Sequence, residues 1–156
     1  MANNPELLSA WLSALAIKLQ PASRRALARK LGQQLRKCQT LRIASQKNAD
    51  GSDYRPRVNR EKNHKNSEGR IKRTGKMFVK LRTARHLRLE ATSEGLAVGY
   101  GGNVARIARV HQYGLRDRIS RNGPDYVYPQ RELLGFGSLE REALQAKMLE
   151  WLISTL

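Results

Sequence analysis

A chain of 156 residues is one domain's length, and its 30 Lys and Arg against 13 Asp and Glu give a formal charge of +17. Self-repulsion at that level opposes compaction and favours a polyanionic or acidic partner. The single cysteine, Cys38, excludes an intramolecular disulfide and a multi-cysteine metal centre. No stretch approaches the roughly 20 apolar residues that cross a bilayer, so no membrane partner is expected. The start, MANNPELLSAWL, has no basic n-region and no cleavage pattern, so the expectation is a protein kept in a reducing cytoplasm.

Asn3 or Asn4 caps a first predicted helix over about residues 5–19, with Pro5 at its first position. Leu7, Trp11, Leu15 and Leu19 form its apolar stripe, with Leu8, Leu12 and Ala16 alongside. Pro21 is expected to close it and Ser23 to cap a second helix, whose stripe of Leu27, Leu31 and Leu35 runs to Cys38 or on to Ala44. The opposite face carries Arg24, Arg25, Arg29, Lys30, Arg36 and Lys37. The pair reads as an αα-hairpin that must cover its stripes with something else. Residues 48–76 follow, with Tyr54, Val58 and Ile71 as their sizeable apolar residues. Too polar to bury itself, this segment is expected to be a flexible basic loop or arm. Residues 42–88 concentrate the charge, with 15 Lys and Arg against 4 Asp and Glu.

Met77–Arg82 is read as a short helical or extended apolar element. In His86–Gly101, Leu87, Leu89 and Ala91 alternate with polar residues, then Leu96, Val98 and Tyr100 do so beyond Gly95, which is a hairpin pattern. Asn103 is expected to cap a helix over 104–113 that turns Val104, Ile107, Ala108 and His111 one way, with Gly114 ending it. Residues 115–127 read as loop, broken at Asn122-Gly123-Pro124, and 126–134 as a third strand. Ser138 starts a last helix with Leu139, Ala143, Ala146, Leu149, Leu152 and Ile153 on its apolar face. The expected class is α+β: an N-terminal helical hairpin, a small antiparallel sheet, a C-terminal helix and a long basic loop, in a single domain spanning 1–156.

Candidate chemistry is sparse. His64, His86 and His111 have no metal-ligating partner at helical spacing, and no Cys-x-x-Cys or His-Glu-x-x-His occurs. EKNHKN, around His64, is faintly nuclease-like, but a solvated loop is the better reading. His111 beside Tyr113 invites a general-base reading, yet no carboxylate or nucleophile stands at a suggestive spacing, so a packed structural histidine is preferred. Gly99–Asn103 lacks the patterns of a phosphate loop and reads as a tight strand-to-helix connection. No catalytic residue, metal or cofactor is expected.

Two short signatures remain, ARIARVHQYG (Ala105–Gly114) and YPQRELLG (Tyr128–Gly135). They stand in one order with RIASQKNADGSDY (Arg42–Tyr54), the Met-Phe-x-x-Leu segment (Met77–Leu81) and a final helix of about eighteen residues. In this order the chain resembles the virion-morphogenesis (tail completion) proteins of contractile-tailed bacteriophages. One departure is Ala49, where the family usually has proline before Asp-Gly. The resemblance implies a non-enzymatic assembly protein at the head-proximal end of a phage tail, assembled in the host cytoplasm and retained in the virion. A ring of six copies is implied, joined to tail tube or sheath proteins and to head connector proteins. Arg131, Tyr113, His111 and Tyr128 are the expected subunit or partner interface, with Arg131 anchoring a carboxylate or backbone carbonyls. Arg55, Arg57, Arg60, Lys62, Lys65, Arg70, Lys72, Arg73 and Lys76 are candidates for contact with passing DNA or an acidic partner. A nucleic-acid-binding protein using residues 42–88 is the alternative, and the ordinary fate of such a run is a solvated loop.

Overall fold

Pro21 opens a helix instead of closing one. The computed structural model describes residues 9, 12–13, 16–17, 19–57 and 75–154. Helix α1 runs Pro21–Ala44, with Gln20 in extended backbone at its N-cap. At the first helical position a proline loses no hydrogen bond, because that N–H has no intrahelical partner. Ser23 therefore lies inside the helix, and its Oγ donates back to Ile17 O (3.3 Å). Ahead of the turn, Ser9, Leu12, Ser13, Ala16 and Ile17 are helical; the remaining residues of the expected first helix, apart from Leu19 in the turn, lie outside the described residues.

The buried stripe of α1 is Ala28, Leu31, Leu35, Gln39 and Ile43, which drifts from the expected Leu27 line towards Gln39. Arg24, Arg25, Arg29, Lys30 and Lys37 stay exposed on the far side. Strands β1 (Leu87–Ala91) and β2 (Leu96–Tyr100) form the expected antiparallel hairpin, in register from Leu87↔Tyr100 to Ala91↔Leu96. Thr92 N donates to Gly95 O (2.8 Å) across its turn. α1 lies against both strands, and Leu87 is fully buried.

Helix α2 (Asn103–Tyr113) has Gly102 at its cap position, so Asn103 occupies the first turn and caps nothing. Ala108 and Val110 are buried, but Ile107, expected inward, is exposed. Gly114 ends the helix at φ 64, a left-handed conformation that glycine adopts without steric cost.

Beyond it, the region read as loop contains a second hairpin. β3 (Arg116–Arg118) pairs antiparallel with β4 (Asp125–Val127), and Asn122-Gly123-Pro124 lie in its turn. The strand expected over 126–134 thus stops at Val127 and joins β3, not β1–β2; Pro129, without an N–H, cannot extend a ladder. Met77–Arg82 is neither helix nor strand but a chain of turns, with Phe78 at φ 62. A left-handed aromatic residue is strained and persists only where its surroundings hold it.

Helix α3 (Ser138–Ile153) begins with Glu140 Oε2 accepting the Gly137 N–H (3.1 Å) and packs against α1. Its expected apolar face is largely uncovered: Leu139 is 76% exposed, and Leu149, Leu152 and Ile153 are exposed as well. The core itself is Ile43, Tyr54, Leu81, Ala108 and Leu133, with Met77, Phe78, Tyr100 and Val104 against it. Tyr54 in that core shows that the polar segment does not begin at residue 48. Its first part folds back in a turn bridged by Lys47 and Asp53, with Tyr54 N donating to Gln46 O (2.7 Å). Residues 58–74 lie outside the described residues. The architecture is α+β, with helices flanking two small antiparallel hairpins.

Candidate functional site

The five core side chains come from four separate segments of the chain, and together they explain why the short signatures go together. Ile43 and Tyr54 belong to Arg42–Tyr54, Leu81 to the Met-Phe-x-x-Leu segment, Ala108 to the stretch ending His-Gln-Tyr-Gly, and Leu133 to Pro-Gln-Arg-Glu-Leu-Leu-Gly. Residues 128–137 have no regular structure, so their backbone groups must find partners elsewhere. Gln112 supplies three: its Oε1 accepts the N–H groups of Leu133 and Leu134 (2.9 Å each), and its Nε2 donates to Leu134 O (2.8 Å). His111 O accepts Arg131 N (2.7 Å), Tyr54 Oη donates to Glu132 O (2.8 Å), and Asn48 Oδ1 accepts Glu132 N (2.9 Å).

The Glu132 carboxylate returns the favour by accepting Ala49 N (3.0 Å). A proline at 49 would have no N–H to give, so this contact depends on a residue such as alanine there. Gly135 is needed for close approach and not for a turn: a Cβ there would stand 2.5 Å from Ala49 Cβ.

Below this segment Arg42 is almost wholly buried. Its Nε pairs with Glu140 Oε1 (2.9 Å), and its Nη1 donates to Glu132 O (2.9 Å). Its Nη2 donates to Gln39 Oε1 and to Leu133 O (3.3 Å), while Gln39 Nε2 donates to Gly135 O (2.5 Å). A charge pair out of water is tolerable only with its other donors and acceptors satisfied, and here they are. This node joins α1, the irregular segment and α3.

Arg131 is the second node. It is 4% exposed, and its Nε and Nη2 donate to Arg55 O (2.7 Å) and Pro56 O (3.0 Å). Burial lowers its pKa, and Arg57 and Arg55 add to that. Nη1 stands 3.4 Å from His111 Nδ1, which accepts when the neutral ring carries its proton on Nε2. Burial first, and Arg131 second, bring the His111 pKa down to about 4. The ring also packs edge-on against Phe78 (4.8 Å between centroids) and Tyr128 (5.0 Å), on loop residues and not on the sheet. It is held as a neutral structural group. The carbonyls that Arg131 binds are those of its own chain.

Tyr113 and Tyr128 sit differently. With Tyr126, Arg55, Pro56 and Gln130 they line an open groove of about 470 Å³. Arg55 and Lys76 are exposed, whereas Arg57 donates to Gly75 O (2.7 Å) and thereby ties together the two ends of the described chain around residues 58–74. Arg60, Lys62, Lys65, Arg70, Lys72 and Arg73 fall outside the described residues, as does His64. Among the described residues no three His, Cys, Asp or Glu side chains gather as a metal site, and no helix is long and apolar enough to cross a membrane. The hydrogen-bonding roles of Asn48, Gln112 and Glu132 had no signal in the sequence beyond their place inside the signatures, and that of Gln39 had none.

The model of the phage virion morphogenesis family matches residues 4–153. The chain belongs to that family. Among the family's characterised relatives is tail completion protein S of Escherichia phage P2, 40% identical over 126 residues that cover 80% of this chain and 81% of that protein. No solved structure matches the chain. For this member of the family, the signature residues are those that build the core and close the irregular segment over it.

Proposed function

We propose that this chain is a structural virion protein, without enzymatic activity, that sits at the head-proximal end of a phage tail, completes it and enables head–tail joining. The observation that carries the reading is its 40% identity, over most of both chains, to tail completion protein S of phage P2. The uncovered apolar side chains of α3, together with exposed Leu12, Ile17 and Leu19 near the N-terminus, support an assembled state, because one core does not use them. The assembly we propose is a ring of six copies, formed in the host cytoplasm and touching tail tube or sheath proteins on one side and head connector proteins on the other.

The charge is what the alternative reading rests on: 15 Lys and Arg against 4 Asp and Glu over residues 42–88, carried partly on a stem that Arg57 and Arg131 fix. In a ring that surrounds DNA such a segment meets passing phosphates; on the outer surface it docks on an acidic neighbour. The isolated protein separates the readings. A tail component gives virion-associated protein and headless tails when it is missing. Micromolar, salt-dependent duplex binding by a protein absent from virions sustains the nucleic-acid alternative and defeats the tail reading.

A further inference from the structure

The groove beside the second hairpin uses signature residues that the core does not. Tyr113, Tyr126 and Tyr128 form its aromatic wall, with Tyr126 and Tyr128 edge-to-face at 5.0 Å. Tyr113 is 64% exposed at its rim. Arg55, Pro56 and Gln130 line the same groove. This shape is pre-set. Arg131 holds the carbonyls of Arg55 and Pro56 from beneath, and Gly114 lets the chain close against Tyr128 and Gln130, where a Cβ would stand 3.1 Å from Gln130 N and 3.2 Å from Tyr128 O. A ligand therefore meets an ordered surface and is spared the cost of arranging it.

The chemistry of the lining identifies the occupant. Among the described residues, Arg55 is the charged side chain in the lining, which includes no carboxylate. The nearest acids of the hairpin are engaged elsewhere, Asp117 by Arg106 (2.5 Å) and Asp125 by Arg118 (3.9 Å). An open trough of about 470 Å³ suits one extended chain, whereas a duplex meets only the rim. Tyrosine faces give a strand of protein apolar contact together with hydroxyl hydrogen bonds, at little entropic cost. From this the geometry points to a docking groove for an extended acidic segment of another virion protein, read by the three tyrosines and Arg55. The inference rests on the proposed place in the tail, since the partner is a neighbour there.

The test places a photo-crosslinking benzoylphenylalanine at Tyr113 or, separately, at Gln130 of the full chain, supplied during infection in place of the wild type. Tails are purified, probed for the protein, irradiated, and the crosslinked segment is sequenced by mass spectrometry. The expected product joins the groove to a stretch of a different virion protein in which Asp and Glu outnumber Lys and Arg. Arg55→Glu lowers its yield about tenfold, and Arg55→Lys keeps it within about twofold, because the contact is one of charge. A crosslink to DNA, to a second copy of this chain or to a basic segment overturns the inference. So does the lack of any crosslink from both positions in tails that contain the protein. Tails that lack the protein altogether remove the tail reading, and this inference with it.

Discussion

Replacing Arg131 by methionine removes the clamp on the stem while keeping most of its volume. The wild-type guanidinium makes two short bonds, to Arg55 O (2.7 Å) and Pro56 O (3.0 Å), at 4% exposure. A hydrogen bond from a charged donor contributes about 1.5–3 kcal/mol. Two are lost, but the freed carbonyls belong to exposed residues that water can reach, and a buried cation no longer has to be desolvated. The net expectation is a loss of about 2–3 kcal/mol, or about 5–10 °C in Tm for a domain of this size. Lysine at 131 does not restore it, because one ammonium cannot reproduce the planar fork that meets two carbonyls and the His111 ring. The assay is thermal and urea unfolding of wild type, Arg131→Met and Arg131→Lys, with amide exchange followed at Arg55 and Arg57. An Arg131→Met protein that melts within about 1 °C of wild type and protects both amides equally would refute the clamp.

Glu140→Gln leaves Arg42 buried without its counter-charge and should cost about 3 kcal/mol in urea unfolding, though Gly137 keeps a weaker cap. Tyr100 Oη is the one buried side-chain polar atom without a partner among the described residues, so Tyr100→Phe should leave the melting temperature unchanged or raise it. His111 binds its proton at about 4 in the folded state and at 6.5 when unfolded, so the unfolded state takes up protons first as pH falls. Its contribution is complete above pH 6.5 and is lost towards pH 4, by at most about 3 kcal/mol; His111→Phe should flatten that part of the stability–pH curve. Exchanging Lys62, Lys65, Lys72 and Arg73 among Lys and Arg should leave phage yield unchanged, while Glu at all four should abolish head–tail joining in a folded subunit, as expected if charge and not a unique side chain acts there.

What was legible in the sequence followed from periodicity. Alternation gave β1 and β2 with their turn, Gly114 marked the end of α2, and Ser138 the start of α3. The second hairpin was missed because its strands are three residues long and Arg116-Asp117-Arg118 presents no apolar face. A stripe of leucines also does not say whether it is covered: the face of α3 was read as apolar, and the structure leaves most of it exposed. Arg131, His111, Tyr113 and Tyr128 were singled out, but sequence cannot tell an arginine that reaches a neighbour from one that reaches its own chain 76 residues away. Gln112 and Gln39 carry no apolar pattern at all, and their value appears only when an irregular segment arrives in need of donors and acceptors. Phe78, in left-handed backbone, is likewise set by its neighbours Tyr54 and His111 and not by its own preference.

The most direct test of a structural role at the tail's upper end is cryo-electron microscopy of virions made with and without this protein. The account predicts a ring of six copies at the head-proximal end of the tail in the first sample, and unjoined heads and tails in the second. Complete virions assembled in its absence, or tails that carry no density for it at that end, would contradict the account.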